Sequence, residues 1–368
     1  MRLDEDVLDD LSLGSVFLAT GGGGDPYVSL LATRQVLHAN GPAEMIPVDE
    51  LDDDAYVVTI GAVGAPSVSL ELLPSVHDAE KALRAYEEHV GRSVDAVVSF
   101  EVGGGNSLIP IAAASACGIP VIDGDGMARA LPEAQMMTYP ISGISPTPAL
   151  ALDYAGNVMT FASETAEAYE HEIRAAAEAM GGMITAVEHP MSGAELKTSV
   201  MRGTISFSIE LGQLLRERRG NAERLLAPLT DLFADSLYGQ IFPLYTGKVV
   251  DYSSSVVAGF DQGQARLEPF DQDGPAMTID IRNEFLVARM GGEVVASVPD
   301  LITMLDLETG TPINAERLRY GQRVAVYGVG CPEFYRQPKA LAVVEPRCFG
   351  FDIDFVPIED LRPGWLQR

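Results

Sequence analysis

Short apolar, β-branched runs alternate with helix-period segments over the first 165 or so residues of the chain. "VVTIGAVGAP" begins at Val57, "AVVSFEVGGGN" at Ala96 and "IPVIDGDGM" at Ile119, and each ends in a glycine-rich or acidic turn. Helical segments such as Glu80 to Val90 and Ser107 to Cys117 lie between them. Apolar runs without polar alternation suit strands buried on both faces, and the intervening helices imply a mainly parallel sheet. In open α/β sheets the ligand crevice lies outside the carboxyl ends of the strands. Those ends are where this chain puts its glycines and acids. "ALALDYAGNVMTF", Ala149 to Phe161, reads as a hairpin, and a helix from about Glu164 to Met180 ends at Gly181-Gly182. Ser192 with Glu195 three residues on forms a capping box. The helix it opens is expected to run to about Arg219, with Gly203 as a kink or close-packing point.

From Gln240 onward the period changes. "GKVVDYS", "AMTIDIRNEFLVARM", "GEVVASVPDLITML", "QRVAVYGVG" and "ALAVVE" are short β-like segments separated by turn residues. The expected fold class is α/β, with a mainly parallel-sheet N-terminal domain and a second, β-rich α+β domain. The boundary is placed near the Glu164 helix, giving an α/β unit over 1–165 and a helix-then-β-rich unit over 166–368.

The length of 368 residues agrees with two domains, and 47% apolar residues suffice for sizeable cores. A net charge of −28 with only 25 Lys plus Arg makes nucleic acid and anionic membranes poor partners. No apolar run reaches the length of a membrane span, and the start, Met1-Arg2-Leu3-Asp4-Glu5-Asp6, lacks a signal-peptide core. The cytoplasm is the expected compartment. Cys117, Cys331 and Cys348 suit a reducing environment and form no CxxC pair.

Candidate chemistry gathers in the turns. Gly21, Gly22, Gly23 and Gly24 precede Asp25-Pro26, a favoured N-cap and first helical residue, so a helix should run from Pro26 to about Ala39. The glycines therefore feed a helix N-terminus, where free N–H groups favour anions. They serve either that purpose or a tight turn where backbone packs on backbone. No Walker lysine and no GxGxxG after a strand is present, so no nucleotide is expected. Glu101 stands at a strand end in "EVGGGNS", and Asn106 can cap the following helix. Asp123 and Asp125, two apart in a glycine turn, can converge on a cation or on substrate N–H groups, or cap their own turn.

Of the histidines, His38, His89 and His171 lie beside charges on helical segments and His77 precedes a helix, whereas His189 sits between an apolar run and a capped helix. His189 is the candidate for chemistry. Cys331, in "VYGVGCPEFY", has a loop position suited to a nucleophile or soft metal ligand. Cys117 reads as a small core residue, and no GxSxG, HExxH or full DxDxDG motif is present.

"ATGGGGDP", "EVGGGNSLIPIAAASACGIPVIDGDGMARALPEAQM", "MSGAELKTSVMRGTISFSIELG", "IRNEFLVA", "VPDLITMLDLETGTPI" and "PRCFGFDIDFVPI" together resemble the DUF917 family, described as S-methyl thiohydantoin desulfurase-like. The likeness runs in order through nearly the whole chain, with "VIDGDGMARALPEAQM" its most specific part. It implies two domains and hydrolysis at a five-membered hydantoin-like ring, in which the S-methyl group leaves C2 as methanethiol, within ergothioneine-type catabolism. Relatives often accompany hydantoinase/oxoprolinase proteins.

Such a reaction needs a nucleophile (metal-bound hydroxide or thiolate), an acid for the ring nitrogen or departing thiol, and donors for a carbonyl or carboxylate. From that chemistry Cys331, His189 and Glu101 are the catalytic candidates. Gly21–Gly24, Asn106 and Asp125 are candidates for holding substrate. Asp123, Asp125 and His189 are the candidate ligands of a zinc ion. The expected partner is a small cyclic substrate, with the protein a homo-oligomer. The competing expectation is a non-catalytic, ligand-binding accessory subunit of a hydantoinase system. An ATP-dependent ring opener conflicts with the missing Walker lysine.

Overall fold

The computed structural model describes residues 1–65, 67, 68, 73, 75–270 and 274–361. The chain opens with β1 (Arg2–Leu3), α1 (Glu5–Leu18), α2 (Pro26–Asn40) and β2 (Ala43–Ile46). It continues with β3 (Tyr56–Gly64), α3 (Asp78–Val90), β4 (Ala96–Ser99), α4 (Ile109–Cys117), β5 (Val121–Asp125) and the single turn α5 (Thr138–Ile141). The strand–helix alternation builds a parallel core in the order β2-β5-β4-β3. Val57, Val58 and Ile60 of β3 and Ala96, Val97 and Val98 of β4 are fully buried, as their unbroken apolar runs require.

The hairpin β6 (Ala149–Leu152) and β7 (Val158–Phe161) forms as expected. After α6 (Ala166–Ala179), β8 (Met183–Ser192) enters antiparallel between β3 and β6. The capping box at Ser192 opens α7 (Gly193–Ser199), with both of its hydrogen bonds made. The helix does not continue to Arg219. Met201–Arg202 form β9, which pairs with Asp125 and Gly124 of β5, and Gly203 then turns the chain at φ +71° into α8 (Thr204–Glu217). Edge pairing to the sheet outcompetes helix propagation there, and a glycine supplies the left-handed residue. Strands and helices from beyond residue 165 thus complete the nine-stranded first sheet and its cover.

After α9 (Leu226–Ala234) the chain becomes β-rich: β10 (Ile241–Val257), β11 (Phe260–Glu268), β12 (Met277–Arg282), β13 (Glu284–Met290), β14 (Glu293–Ser297), β15 (Leu301–Asp306) and β16 (Arg323–Val329). All pairings are antiparallel, in the order β14-β13-β12-β11-β10-β16-β15. In β12, Met277, Ile279 and Ile281 are buried while their neighbours are half-exposed, the period-2 pattern of a sheet with one wet face. "ALAVVE", expected as β-like, is instead helical, in α10 (Pro338–Val344). Pro338 pre-sets its first turn, and Ala340 and Val344, one turn apart, make the buried face. The fold is therefore α/β with a parallel-core first sheet and an antiparallel, β-rich second sheet. Among the described residues, no helix is long and apolar enough to cross a membrane.

Candidate functional site

A cavity of about 180 Å³ opens at the carboxyl ends of the parallel strands. Its floor is the end of β3 (Ala62–Gly64) with Phe100 and Glu101 just after β4, and Met127 and Leu131 after β5. The start of α2 and the Gly23–Gly24 loop form one wall, and Asn283 and Glu284 of the second sheet close another. This is the crevice position expected for an open α/β sheet.

The glycine run is divided. Asp25 caps α2 by accepting from the Tyr27 N–H at 2.9 Å, and Pro26 takes the first helical position, as expected. Gly21 and Gly22 do not line the cavity. A Cβ on Gly21 would meet the Phe285 ring at 2.7 Å, and one on Gly22 would meet Glu284 Oε1 at 2.0 Å. Their carbonyls accept from Ala315 N–H and Asn314 Nδ2. These two glycines serve backbone packing against the second sheet, which corrects their expected substrate role. Gly23 and Gly24 do line the cavity. Among the described residues, their N–H groups donate to no protein acceptor.

Glu101 is 6% exposed, and its carboxyl stands in the cavity wall. Asn106 Nδ2 donates to its Oε1 at 2.9 Å and the Leu131 N–H to its Oε2 at 3.3 Å. Burial pushes its pKa up to about 8, against the pull of those two donors. Asn106 does not cap the following helix, whose N-cap is Leu108 without a side-chain bond. Its amide spans from the β3 backbone, accepting from Ala62 N–H at 2.7 Å, to Glu101. It fixes the acid's orientation.

The zinc ligand set does not assemble. Asp123 accepts from the Ser206 N–H at 3.0 Å and the Ser206 hydroxyl at 2.5 Å, in the first turn of α8. Asp125 is fully buried away from the cavity, and its Oδ2 accepts from Val102, Met127 and Ala128 N–H groups. Burial raises it to about 7, with the Thr204 hydroxyl and those N–H groups pulling down. It caps its own turn and does not line the cavity. His189 is packed between the rings of Tyr139 and Tyr169. Neighbouring strand residues at i and i+2 share a face, yet one aspartate is consumed by a helix start and the other by a turn. Among the described residues no group of three His, Cys, Asp or Glu could hold a metal ion. These residues do not fit zinc.

Cys331 is no activated nucleophile. It lies 2% exposed in the main core, outside the cavity. Burial pushes its thiol well above the usual range, and the neighbouring Asp300 carboxylate adds to that. A nucleophilic cysteine needs the opposite environment, positive and partly open. His38, His77, His89 and His171 are all exposed.

Residues 6–163 match the model of the S-Me-THD-like N-terminal domain, and residues 164–358 match that of the C-terminal domain. The chain belongs to the S-Me-THD-like family. A crystal structure of a protein from Chromobacterium violaceum, a structural-genomics target, shares the fold at a TM-score of 0.81 and 22% identity. That match covers 97% of this chain and all of the other. No curated protein matches the chain.

Three features of this S-Me-THD-like chain escaped the sequence reading. Glu284, 2% exposed, lines the cavity with its Oε2 unpartnered, and burial and then the nearby Glu101 hold its carboxyl well above the usual range. Glu188, 1% exposed, lines it too. Arg129, fully buried, donates to the carbonyls of Ala130, Pro299 and Asp300 and to the Thr20 hydroxyl, locking the turn after β5 onto the second sheet. The only signal for Glu188 was a lone acid inside the apolar run "ITAVEHPM". Glu284 follows an asparagine at φ +56° between two strands, and the groups its carboxyl meets, Gly22 and Glu101, come from the other half of the chain.

Proposed function

We propose that this protein is a hydrolase acting on a five-membered S-methyl thiohydantoin-like ring, releasing methanethiol at C2, with Glu101 as its acid. The observation that carries the reading is a buried carboxyl in the cavity with a pKa of about 8. Such a group is protonated at neutral pH and can donate, as a general acid must. Membership of the S-Me-THD-like family supplies the ring class.

In this reaction water adds to C2 as Glu101 delivers its proton to the ring nitrogen, giving a tetrahedral carbon that bears hydroxyl and S-methyl while the second water proton passes to a base. Glu101, now a carboxylate, takes the hydroxyl proton back as the C2 carbonyl forms and the C–S bond breaks, and the proton given up by water returns to the methanethiolate. Asn106 keeps the acid's lone pair engaged and its face toward the ring. The Gly23 and Gly24 N–H groups just before α2, without a protein acceptor among the described residues, favour the carbonyl or anionic end of the ring substrate.

The test is incubation of the purified protein with an S-methyl thiohydantoin and colorimetric detection of the released thiol. Release by the wild type, lost in Glu101→Gln, supports the reading. Ligand binding without release by the wild type overturns it in favour of a binding or accessory protein.

A further inference from the structure

Hydrolysis of the S-methyl ring needs a carrier that moves one proton from the attacking water to the departing sulfur. The inference here rests on that hydrolytic reading and concerns Glu188 and His189. Pairing of β8 with β3 shifts register between Val57 and Thr59, because Met191 faces Val57 while Glu188 faces Thr59. Two residues of β8, His189 and Pro190, therefore oppose one of β3, a bulge. His189 takes φ +49° there, a left-handed conformation that costs energy in a non-glycine residue. Its backbone N–H is held by the Pro146 carbonyl at 2.9 Å.

What the bulge presents is unusual for a protein interior. The imidazole is completely buried, and neither ring nitrogen has a hydrogen-bond partner among the described residues. Glu188 Oε2 accepts from the Tyr169 hydroxyl, and the Thr59 hydroxyl holds the Glu188 main-chain carbonyl at 2.9 Å. Glu188 Oε1 has no hydrogen-bond partner among the described residues and lies 3.2 Å from His189 Nδ1, off the line of a hydrogen bond. Buried polar atoms are rarely left unpaired, and each such atom costs about 1–3 kcal/mol. The open oxygen belongs to a residue that lines the cavity.

We propose that Glu188 is the second proton carrier of the reaction and that His189, fixed by the bulge, is the residue that positions its open oxygen. Glu188 takes a proton from the attacking water as the C2–O bond forms. Glu101 gives its own to the ring nitrogen. On collapse Glu101 regains the hydroxyl proton, and Glu188 returns its proton to methanethiolate as the C–S bond breaks. The sum is one water and one S-methyl ring in, one hydantoin and one methanethiol out, with both carboxyls restored.

Glu188→Gln removes the base and keeps the shape. It should slow thiol release by about 100-fold or more, with the affinity for hydantoin itself changed by less than about threefold. His189→Asn suits the left-handed position, and should lower kcat about tenfold at unchanged KM, the signature of lost positioning. A readout independent of turnover is the 15N spectrum of the five histidines. The His189 Nδ1 signal should move in Glu188→Gln, and in the wild type on saturation with hydantoin, while the four exposed histidines stay put. Near-wild-type release by Glu188→Gln, or a His189 signal indifferent to both changes, overturns the inference while hydrolysis stands. A wild type that releases no thiol removes the hydrolytic reading itself, and the base role with it.

Discussion

Replacing Gly23 by alanine tests whether the cavity wall is held by backbone-on-backbone packing. Gly23 sits at φ +65°, and a Cβ there would lie 2.5 Å from both the carbonyl carbon and oxygen of Gly103. Gly91, the residue after α3, has φ +68° and nothing within 4 Å of its Cβ position. The two glycines share a conformation and differ in surroundings. An L-residue in the left-handed region costs roughly 1–2 kcal/mol. Restriction of the unfolded chain returns about 0.4–1 kcal/mol of that, so Gly91→Ala should destabilise by about 1 kcal/mol. Gly23→Ala bears the same strain plus a clash that no side-chain rotation relieves, because the atoms struck are main chain. Overpacking of that kind adds about 1–3 kcal/mol, for a total of roughly 2–4. Urea denaturation of both variants measures the difference. Equal losses, within about 0.5 kcal/mol, would refute the packing argument and leave Gly23 a conformational residue only.

Three other expectations follow from the site. Glu101→Gln should cut thiol release by about 10²–10⁴-fold, and the wild-type rate at low substrate should fall as pH rises through about 8, where Glu101 loses its proton. Because burial raises that carboxyl in the folded state only, its protonated form contributes stability below the unfolded value near 4.5 that is lost as pH climbs through about 8. The stability difference between wild type and Glu101→Gln should therefore shift against the wild type across that window, as read from melts at several pH values. Cys331→Ser should leave thiol release within about twofold, and a thiol reagent should modify exposed Cys348 before buried Cys331, as mass spectrometry of partially labelled protein would resolve. Arg129→Met, which strips donors from three carbonyls and a hydroxyl, should cost roughly 3 kcal/mol or more in urea denaturation.

Local signals in the chain were readable and long-range ones were not. Asp25-Pro26 and Ser192…Glu195 announce helix starts because capping uses neighbours in sequence. Glu101 could be placed at the crevice because strand end, glycine turn and acid lie within a few residues. Asn106 was found for a capping role, but its partners, Ala62 and Glu101, are set by the β3–β4 pairing. Gly203 looked compatible with one long helix until the β9 pairing with β5 claimed the two residues before it. Cys331 failed as a nucleophile for a similar reason, since its reactivity depends on burial beside Asp300, 31 positions away. Glu284 reaches the cavity only because the second sheet docks on the first, which no window of the sequence displays.

The contact between Gly22 and the Glu284 carboxyl has an evolutionary corollary. One lip of the binding chamber comes from the first thirty residues and the other from the far half of the same polypeptide. Were the gene to split in the connection between α9 and β10, the first product would carry most of the cavity wall and the second only the Asn283–Glu284 corner that closes it. A side chain gained at Gly22 would first displace the Glu284 carboxyl, which can swing aside but only by leaving its place in the cavity wall. Selection at that position therefore acts on where that carboxyl sits, and through it on the fit of one half of the chain to the other.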